Sequence, residues 1–341
     1  MNQDKELDRD RITNLDLLRG LAALAVCIFH FDHDGALGVP SVSRVLGYGY
    51  LGVQMFFVIS GFIIPYSMLR SGYRIKNIKG FLIGRLVRLY PAYIIASLAA
   101  LSMWYGTALT PGYHGEWPSF SVIQVISNIF LICDFTNTDW LITIAWTLAI
   151  EAQFYLLIAL FFPFAFSSNN WIRRSAMALW VVTPIIAGKG PTVLTWTALF
   201  SLGMIVCQWK SKIIGWPEFA IMIIAAFYAH AEVYSPTQSL VGITTMSAIA
   251  FLPQIKFSIL TKIGVVSYSL YLIHNNSAGP ILYFSQKLPD LLWIRIGALL
   301  TSIIISIAVA SIFYRLIEKP SHALSRRLRK RLSEIKPAQS D

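Results

Sequence analysis

Apolar residues in this sequence are gathered into blocks of about 16 to 22 that recur almost from end to end, with polar residues confined mostly to the gaps between them. A helix needs ~20 residues to cross a hydrocarbon layer ~30 Å thick. Each block is therefore of spanning length, and a lone buried core helix would not repeat in this way. The pattern predicts ten transmembrane helices, near residues 15–33, 48–69, 86–106, 143–166, 175–189, 192–209, 218–234, 239–254, 264–285 and 293–315. A further apolar stretch, 121–134, is short and runs into Cys133-Asp134-Phe135-Thr136-Asn137-Thr138-Asp139, so a re-entrant or interfacial segment is expected there. The expected fold class is an all-α polytopic membrane protein of about ten transmembrane helices. Residues 1–14 form a cytoplasmic N-terminal segment, 15–318 the transmembrane domain and 319–341 a basic cytoplasmic tail. No internal repeat or low-complexity linker divides the chain.

Composition agrees with a bilayer as solvent. Of 341 residues 56% are apolar and only 13% charged, with a mean hydropathy of +0.60, far from the roughly quarter-charged make-up of a soluble domain. Charge then fixes the topology, because short cytoplasmic loops carry the excess of Lys and Arg. Ten crossings with both termini in the cytoplasm place Lys5, Arg9, Arg11, Arg70 to Arg88, Arg173, Arg174, Lys210, Lys212, Lys256, Lys262 and the tail from Arg315 inside. Only Arg44, Lys189, Lys287 and Arg295 fall outside. Counting 121–134 as a full crossing would move Arg173, Arg174 and every later group to the wrong side.

The net charge of +11 thus belongs to one membrane face. Anionic lipid headgroups or an anionic cytosolic ligand account for it, and no nucleic-acid partner is expected. The tail Arg326-Arg327-Leu328-Arg329-Lys330-Arg331-Leu332 is suited to lie on the inner leaflet. Cys27, Cys133 and Cys207 are too few and too scattered for a disulfide framework or a zinc site, so no metal is expected. The first apolar segment lacks a small-residue cleavage site and is expected to remain as an anchor.

Ionisable groups inside a span are costly and point to a site. The first span carries Arg19 and His30, eleven residues apart. At 100° per residue they return to within about 20° of one face, separated by a rise of roughly 16 Å. Arg19 then lies near the cytoplasmic mouth and His30 toward the far side. A snorkelling arginine and a helix-capping histidine would give the same pattern. Glu151, in Trp146-Thr147-Leu148-Ala149-Ile150-Glu151-Ala152-Gln153-Phe154-Tyr155, falls in the outer third of the fourth span, and His274 in the middle or outer half of the ninth. Singly, each is a common interhelical polar contact. Three at matching depth suggest one shared polar cavity. Arg70, Arg74, Lys76, Lys79, Arg85 and Arg88 fall within nineteen residues between spans two and three. Most serve as ordinary topology signals, but Arg85 and Arg88, at i and i+3, share a helix face and could grip one phosphate together.

The segments Leu15-Asp16-Leu17-Leu18-Arg19-Gly20 with His30, Phe56-Phe57-Val58-Ile59-Ser60-Gly61-Phe62, and Arg85-Leu86-Val87-Arg88-Leu89-Tyr90-Pro91 resemble acyltransferase family 3, bacterial membrane O-acyltransferases of envelope and exported glycans. Trp146 to Tyr155, Ser267 to His274 and Phe313-Tyr314-Arg315-Leu316-Ile317-Glu318-Lys319-Pro320 continue the match, which covers 15 to 320 in order. The resemblance implies transfer of an acyl group, with acetyl the expected one, from cytosolic acyl-CoA to a hydroxyl of a carbohydrate, free or lipid-linked, in the bacterial cytoplasmic (inner) membrane. Acyl-CoA would be a co-substrate, with no permanently bound cofactor. The family's essential histidine maps onto His30, its first-helix arginine onto Arg19 and its cytoplasmic arginine pair onto Arg85 and Arg88.

Thioester-to-hydroxyl transfer needs a base, and histidine titrates near neutrality. Asp34, four residues on, or Glu151 could orient the His30 ring. Ser60, Trp146, Tyr155 and His274, inside the matching segments, are candidate substrate-binding residues, and His274 is also the rival base. Some relatives carry an extra hydrolase domain after the membrane part. With a short basic tail in that place, acceptor handling is expected from the membrane domain itself. The main alternative is a transporter or flippase of an anionic or lipid-linked solute, although the paired broken helices and repeats of that class are not evident.

Overall fold

In hydrocarbon only a helix satisfies every backbone N–H and C=O within one segment, and each apolar block does form helix. The computed structural model describes residues 12–32, 35–110, 117–255 and 258–334. Its helices are α1 (Thr13–Phe31), α2 (Pro40–Gly47), α3 (Gly52–Arg70), α4 (Ile78–Ala108), α5 (Val122–Phe130), α6 (Cys133–Thr136), α7 (Ala145–Ala165), α8 (Asn170–Ala187), α9 (Thr197–Lys210), α10 (Trp216–Val233), α11 (Pro236–Phe251), α12 (Ile259–Val265), α13 (Ser267–Ser285), α14 (Leu292–Phe313) and α15 (Lys319–Glu334). No strand occurs among the described residues.

Among these residues five helical stretches are long and apolar enough to cross a membrane: Thr13–Phe31, Pro40–Arg70, Ile75–Ala108, Ala145–Ala165 and Leu292–Arg329. The protein is an all-α, multi-pass membrane protein. The other five expected spans fall on α8, α9, α10, α11 and the α12–α13 pair, which are shorter or less apolar. Segment 121–134 contains α5, nine residues ended by Leu131 in the left-handed region. At about 14 Å that helix is too short to cross.

The centre of the bundle is α9, in which every residue from Thr197 to Gln208 is buried. It meets α3 at close range because both surfaces offer glycine: a Cβ on Gly61 would collide with the Phe200 carbonyl, and one on Gly203 with the Val58 carbonyl. Small residues let helix backbones approach in this way where apolar burial gives no preference for protein over lipid. At the periphery, α14 buries only Ser302, Ser306 and Ala310. These sit at i, i+4 and i+8 on one face, where Ser306 shares a 2.8 Å hydrogen bond with Ser277 of α13. Its remaining faces expose Leu300, Ile304 and Ile312.

Two irregularities shape one end of the bundle. The ninth apolar block breaks at Val266, so that α13 begins anew at Ser267. The tenth passes through a π-helical turn, Tyr314–Glu318, before α15, and such turns are frequent at functional sites. The turn delivers Glu318, 1% exposed, to the start of α13, where its Oε2 accepts from the Ser269 N–H at 3.2 Å and the Ser269 hydroxyl at 2.6 Å. A carboxylate thereby satisfies an orphan N–H at a helix N-terminus, where negative charge is favoured. Beyond it α15 lies along the start of α4, and the Ser325 hydroxyl donates to the Gly84 carbonyl at 2.6 Å. This end collects Arg19, Arg85, Arg88 and the arginines of α15, and is called the basic end below.

Candidate functional site

A narrow cavity of about 90 Å³, partly open to solvent, enters the bundle from the basic end between α1, α3, α4, α7 and α13. Apolar side chains such as Val53, Phe56, Phe57, Ile63, Ile64 and Leu148 form most of its wall, and Arg19, Arg85, Arg88 and Glu151 supply its charges. Arg85 is buried, with its guanidinium carbon 5.3 Å from the ring centres of both Phe81 and Tyr155. Such a cation gains from the aromatic faces what it lacks in hydration. Glu151 Oε1 accepts hydrogen bonds from the Tyr155 hydroxyl at 2.5 Å and the Ser60 hydroxyl at 3.3 Å. Arg19 donates through Nε to the Ser267 hydroxyl at 3.2 Å and, with Arg88, lies within electrostatic reach of Glu318.

The inner wall of this cavity is closed by Tyr271, whose hydroxyl shares a 2.8 Å hydrogen bond with the Thr147 hydroxyl. Behind it stands His274, one turn on along α13 and wholly buried, its ring 6.0 Å from that of Tyr271. The backbone carbonyls of Tyr271 at 2.7 Å and Leu270 at 3.2 Å face His274 Nδ1. Nδ1 therefore carries the proton and Nε2 keeps a lone pair, with no hydrogen-bond partner for that buried atom among the described residues. The His30 ring lies 5.1 Å from the His274 ring.

His30 faces a second cavity, of about 580 Å³, at the opposite end of the bundle. The end of α1, the loop 35–37, the end of α13 and the start of α14 enclose it, with Asp32, Gln286, Asp290 and Arg295 among its polar groups. Arg295 forms an ion pair with Asp290. Arg19, Tyr271, His274 and His30 thus stand in series from the basic cavity to the opposite one.

An acyltransferase domain family matches residues 12–315 of this sequence. The chain belongs to that acyltransferase family. Among curated proteins it is 27% identical to the O-acetyltransferase OatA of Staphylococcus aureus, over 91% of this chain and 57% of that protein. It is 23% identical to the peptidoglycan O-acetyltransferase OatA of Listeria monocytogenes, over 94% of this chain and again 57% of the relative. The chain therefore spans little more than half the length of these relatives. No solved structure matches it.

Within this family member, Arg19, Ser60, Arg85, Arg88, Glu151 and Tyr155 come together around the basic cavity. His30 and His274 meet ring to ring outside it. The sequence suggests one polar cavity shared by His30, Glu151 and His274; the structure instead places Glu151 on one cavity and His30 on the other. Equal depth fixes height along a helix but not the face, and Tyr271 fills the space between. Trp146 lines neither cavity and packs on Trp196, ring centres 6.0 Å apart. Asp34 lies outside the described residues. Sequence reasoning did not assign roles to Tyr271, Asp32, Arg295 or Glu318. Tyr271 and Glu318 sit inside quoted family segments, Asp32 is in the acidic run after His30, and Arg295 stands out only as a cation on the sparsely charged side.

Proposed function

We propose that this protein is a membrane O-acetyltransferase that moves an acetyl group from acetyl-CoA, entering at the basic end, to a carbohydrate hydroxyl presented at the opposite end. The observation that carries the reading is the His30–His274 pair, held between a cavity that carries three arginines and a second cavity of mixed polar and apolar lining. Arg85 and Arg88 suit the donor's phosphates, because guanidinium groups bind phosphate through charge-assisted, often bidentate hydrogen bonds. The apolar throat between Phe56 and Leu148 suits a long pantetheine arm. Ten crossings with both termini cytoplasmic would set the basic end in the cytoplasm. The meeting of residues 19, 85, 88 and 267 at one end and of 30, 37, 290 and 295 at the other supports that arrangement.

In this reading His30 removes the proton from the acceptor hydroxyl as its oxygen attacks the thioester carbonyl. The C–O bond forms, the tetrahedral intermediate collapses with loss of the C–S bond, and the proton passes from the imidazolium to the departing thiolate. His274, its Nδ1–H held by two carbonyls, fixes the orientation of the neighbouring ring, and the Tyr271 ring swings aside to admit the thioester. The relatives' names suggest an acceptor such as a peptidoglycan sugar. The test is incubation of purified protein with radiolabelled acetyl-CoA and envelope glycan. Label should move to the glycan with one thiol released per acetyl group. If thiol release and glycan labelling both stay at background, or if the glycan or its lipid-linked form crosses the membrane unmodified, the transporter reading takes its place.

A further inference from the structure

The second cavity holds a group that the proposed transfer does not use. Asp32, two residues beyond His30, is 7% exposed and lines that cavity. Its Oδ1 accepts the Leu37 N–H at 2.7 Å, which ties down the turn after α1. Its Oδ2 is buried and has no hydrogen-bond partner among the described residues. A buried acceptor of this kind is costly when left unmet, more so on a charged group. The arginine on the same wall, Arg295, is already engaged by Asp290, so among the described residues of the wall it does not answer the Asp32 carboxylate.

We propose that Asp32 anchors an acceptor subsite that takes neutral polyhydroxyl ligands, namely uncharged sugar rings, and disfavours anionic ones. The inference rests on the acetyltransferase reading for the role of His30, but Asp32 itself stands on its burial, its unmet oxygen and the cavity. Sugar hydroxyls are neutral donors, and one or two of them would satisfy Oδ2 without bringing in a second negative charge. The Gln286 amide on the same wall can both donate and accept, as a ring carrying hydroxyl and amide substituents requires. A volume of about 580 Å³ falls within the ~300–1,000 Å³ of ordinary small-molecule pockets, enough for sugar-ring ligands. Asp32 is the cap residue that follows α1 and its Oδ1 is committed to the Leu37 N–H, which suits it to hold a neighbouring part of the ligand rather than to orient the His30 ring. A carboxylate next to the site penalises uronic acids and sugar phosphates through repulsion, which gives selectivity without any further contact.

Asp32→Asn keeps an oxygen for the Leu37 N–H and removes the charge. With purified full-length protein, binding of the neutral trimer of N-acetylglucosamine and of the anionic trimer of galacturonate would be measured by calorimetry. Wild type should prefer the neutral trimer. The variant should bind the neutral trimer at least tenfold more weakly and narrow the preference by at least tenfold. In transfer assays the acceptor KM should rise by a similar factor while the pH profile of kcat and the affinity for acetyl-CoA stay as in wild type. Equal neutral-trimer affinity in the two proteins, or no wild-type preference for the neutral trimer, overturns the subsite. A shifted kcat profile with unchanged acceptor KM also overturns it, by making Asp32 a positioning residue for His30. Loss of acetyl-CoA turnover in wild type would instead sink the acetyltransferase reading and leave the binding comparison standing.

Discussion

The two cavities are built from the same helices, α1 and α13, yet they differ in chemistry. The one at the basic end is an apolar throat with its charges at the mouth and base, where Arg85 rests on aromatic rings and Glu151 is held by two hydroxyls. The one at the opposite end mixes polar and apolar groups in its walls, carries one arginine already paired, and holds an acidic oxygen with no partner among the described residues. The first suits a long ligand with a phosphate-bearing head, the second a broad ligand rich in hydroxyls. In the proposed reading the difference makes α1 a ruler: Arg19 and His30, on one face and roughly 16 Å apart, would assign one ligand to each end and leave Tyr271 and His274 to control the passage.

The sharpest way to break this comparison is to ask whether the two ends lie on opposite sides of the membrane. The native cysteines Cys27, Cys133 and Cys207 are buried, so an introduced one can be labelled over a low background. An impermeant thiol reagent added outside intact cells should modify Thr110→Cys, at the far end of α4, and leave Ser211→Cys untouched. The contrast should be all or none. Labelling of both, or of Ser211→Cys alone, would remove the assignment of donor and acceptor to separate faces.

The next effect separates the two histidines that bridge the cavities. His30→Ala should lower acetyl transfer ~10²–10⁴-fold, the usual result of removing a general base, with membrane abundance and acetyl-CoA affinity unchanged. His274→Ala should cost less if it only holds its neighbour in place. Near-normal transfer by His30→Ala would rule it out as the base, and a selective loss in His274→Ala would move the base to α13.

At the basic end alone, Arg85→Gln with Arg88→Gln should weaken acetyl-CoA binding by at least about a hundredfold. Hydrogen bonds to charged groups contribute ~1.5–3 kcal/mol each, and each 1.4 kcal/mol is tenfold. Arg44→Gln, on the other side of the bundle in the proposed topology, is the control and should leave donor affinity unchanged. Equal affinity in the double variant would reduce both arginines to topology signals.

Much of this arrangement can be read before folding is considered. The long apolar helices follow from runs of apolar residues, while α2, α6 and the basic helix α15 do not, and the end at which Arg19, Arg85 and Arg88 gather follows from loop charge. The i, i+3 and i, i+11 spacings put Arg85 with Arg88, and Arg19 with His30, on one helix face because helix geometry is rigid. Two things are not legible. Which faces of separate helices meet depends on glycine contacts such as Gly61 with Phe200, so Glu151 and His30 look like partners in the sequence and face different cavities in the fold. The break at Val266 and the π turn before Lys319 have no apolar-periodicity signal, yet together they bring Glu318 onto the start of α13.

The smallest effect belongs to the partition itself. Tyr271 closes the basic cavity with its ring, and its hydroxyl is fastened mainly by the 2.8 Å hydrogen bond with Thr147, with a longer one donated to the Ile144 carbonyl at 3.4 Å. Tyr271→Phe keeps the ring and loses only the hydroxyl. A single neutral hydrogen bond contributes ~0.5–1.5 kcal/mol net, so the closed position should lose that much relative to the open one. The population with the passage open, if small in wild type, should then rise by a factor of about 2 to 13. The measurable result is faster acetyl-CoA hydrolysis without acceptor, as water reaches the thioester through the second cavity, with donor affinity unchanged. Thr147→Val should reproduce it, because it removes the other half of the same bond, and the double variant should add little to either alone. If both single variants hydrolyse acetyl-CoA at the wild-type rate, the ring is held by packing alone. If the double variant instead multiplies their effects, Tyr271 and Thr147 act separately and the gate must be sought elsewhere along the line from Arg19 to His30.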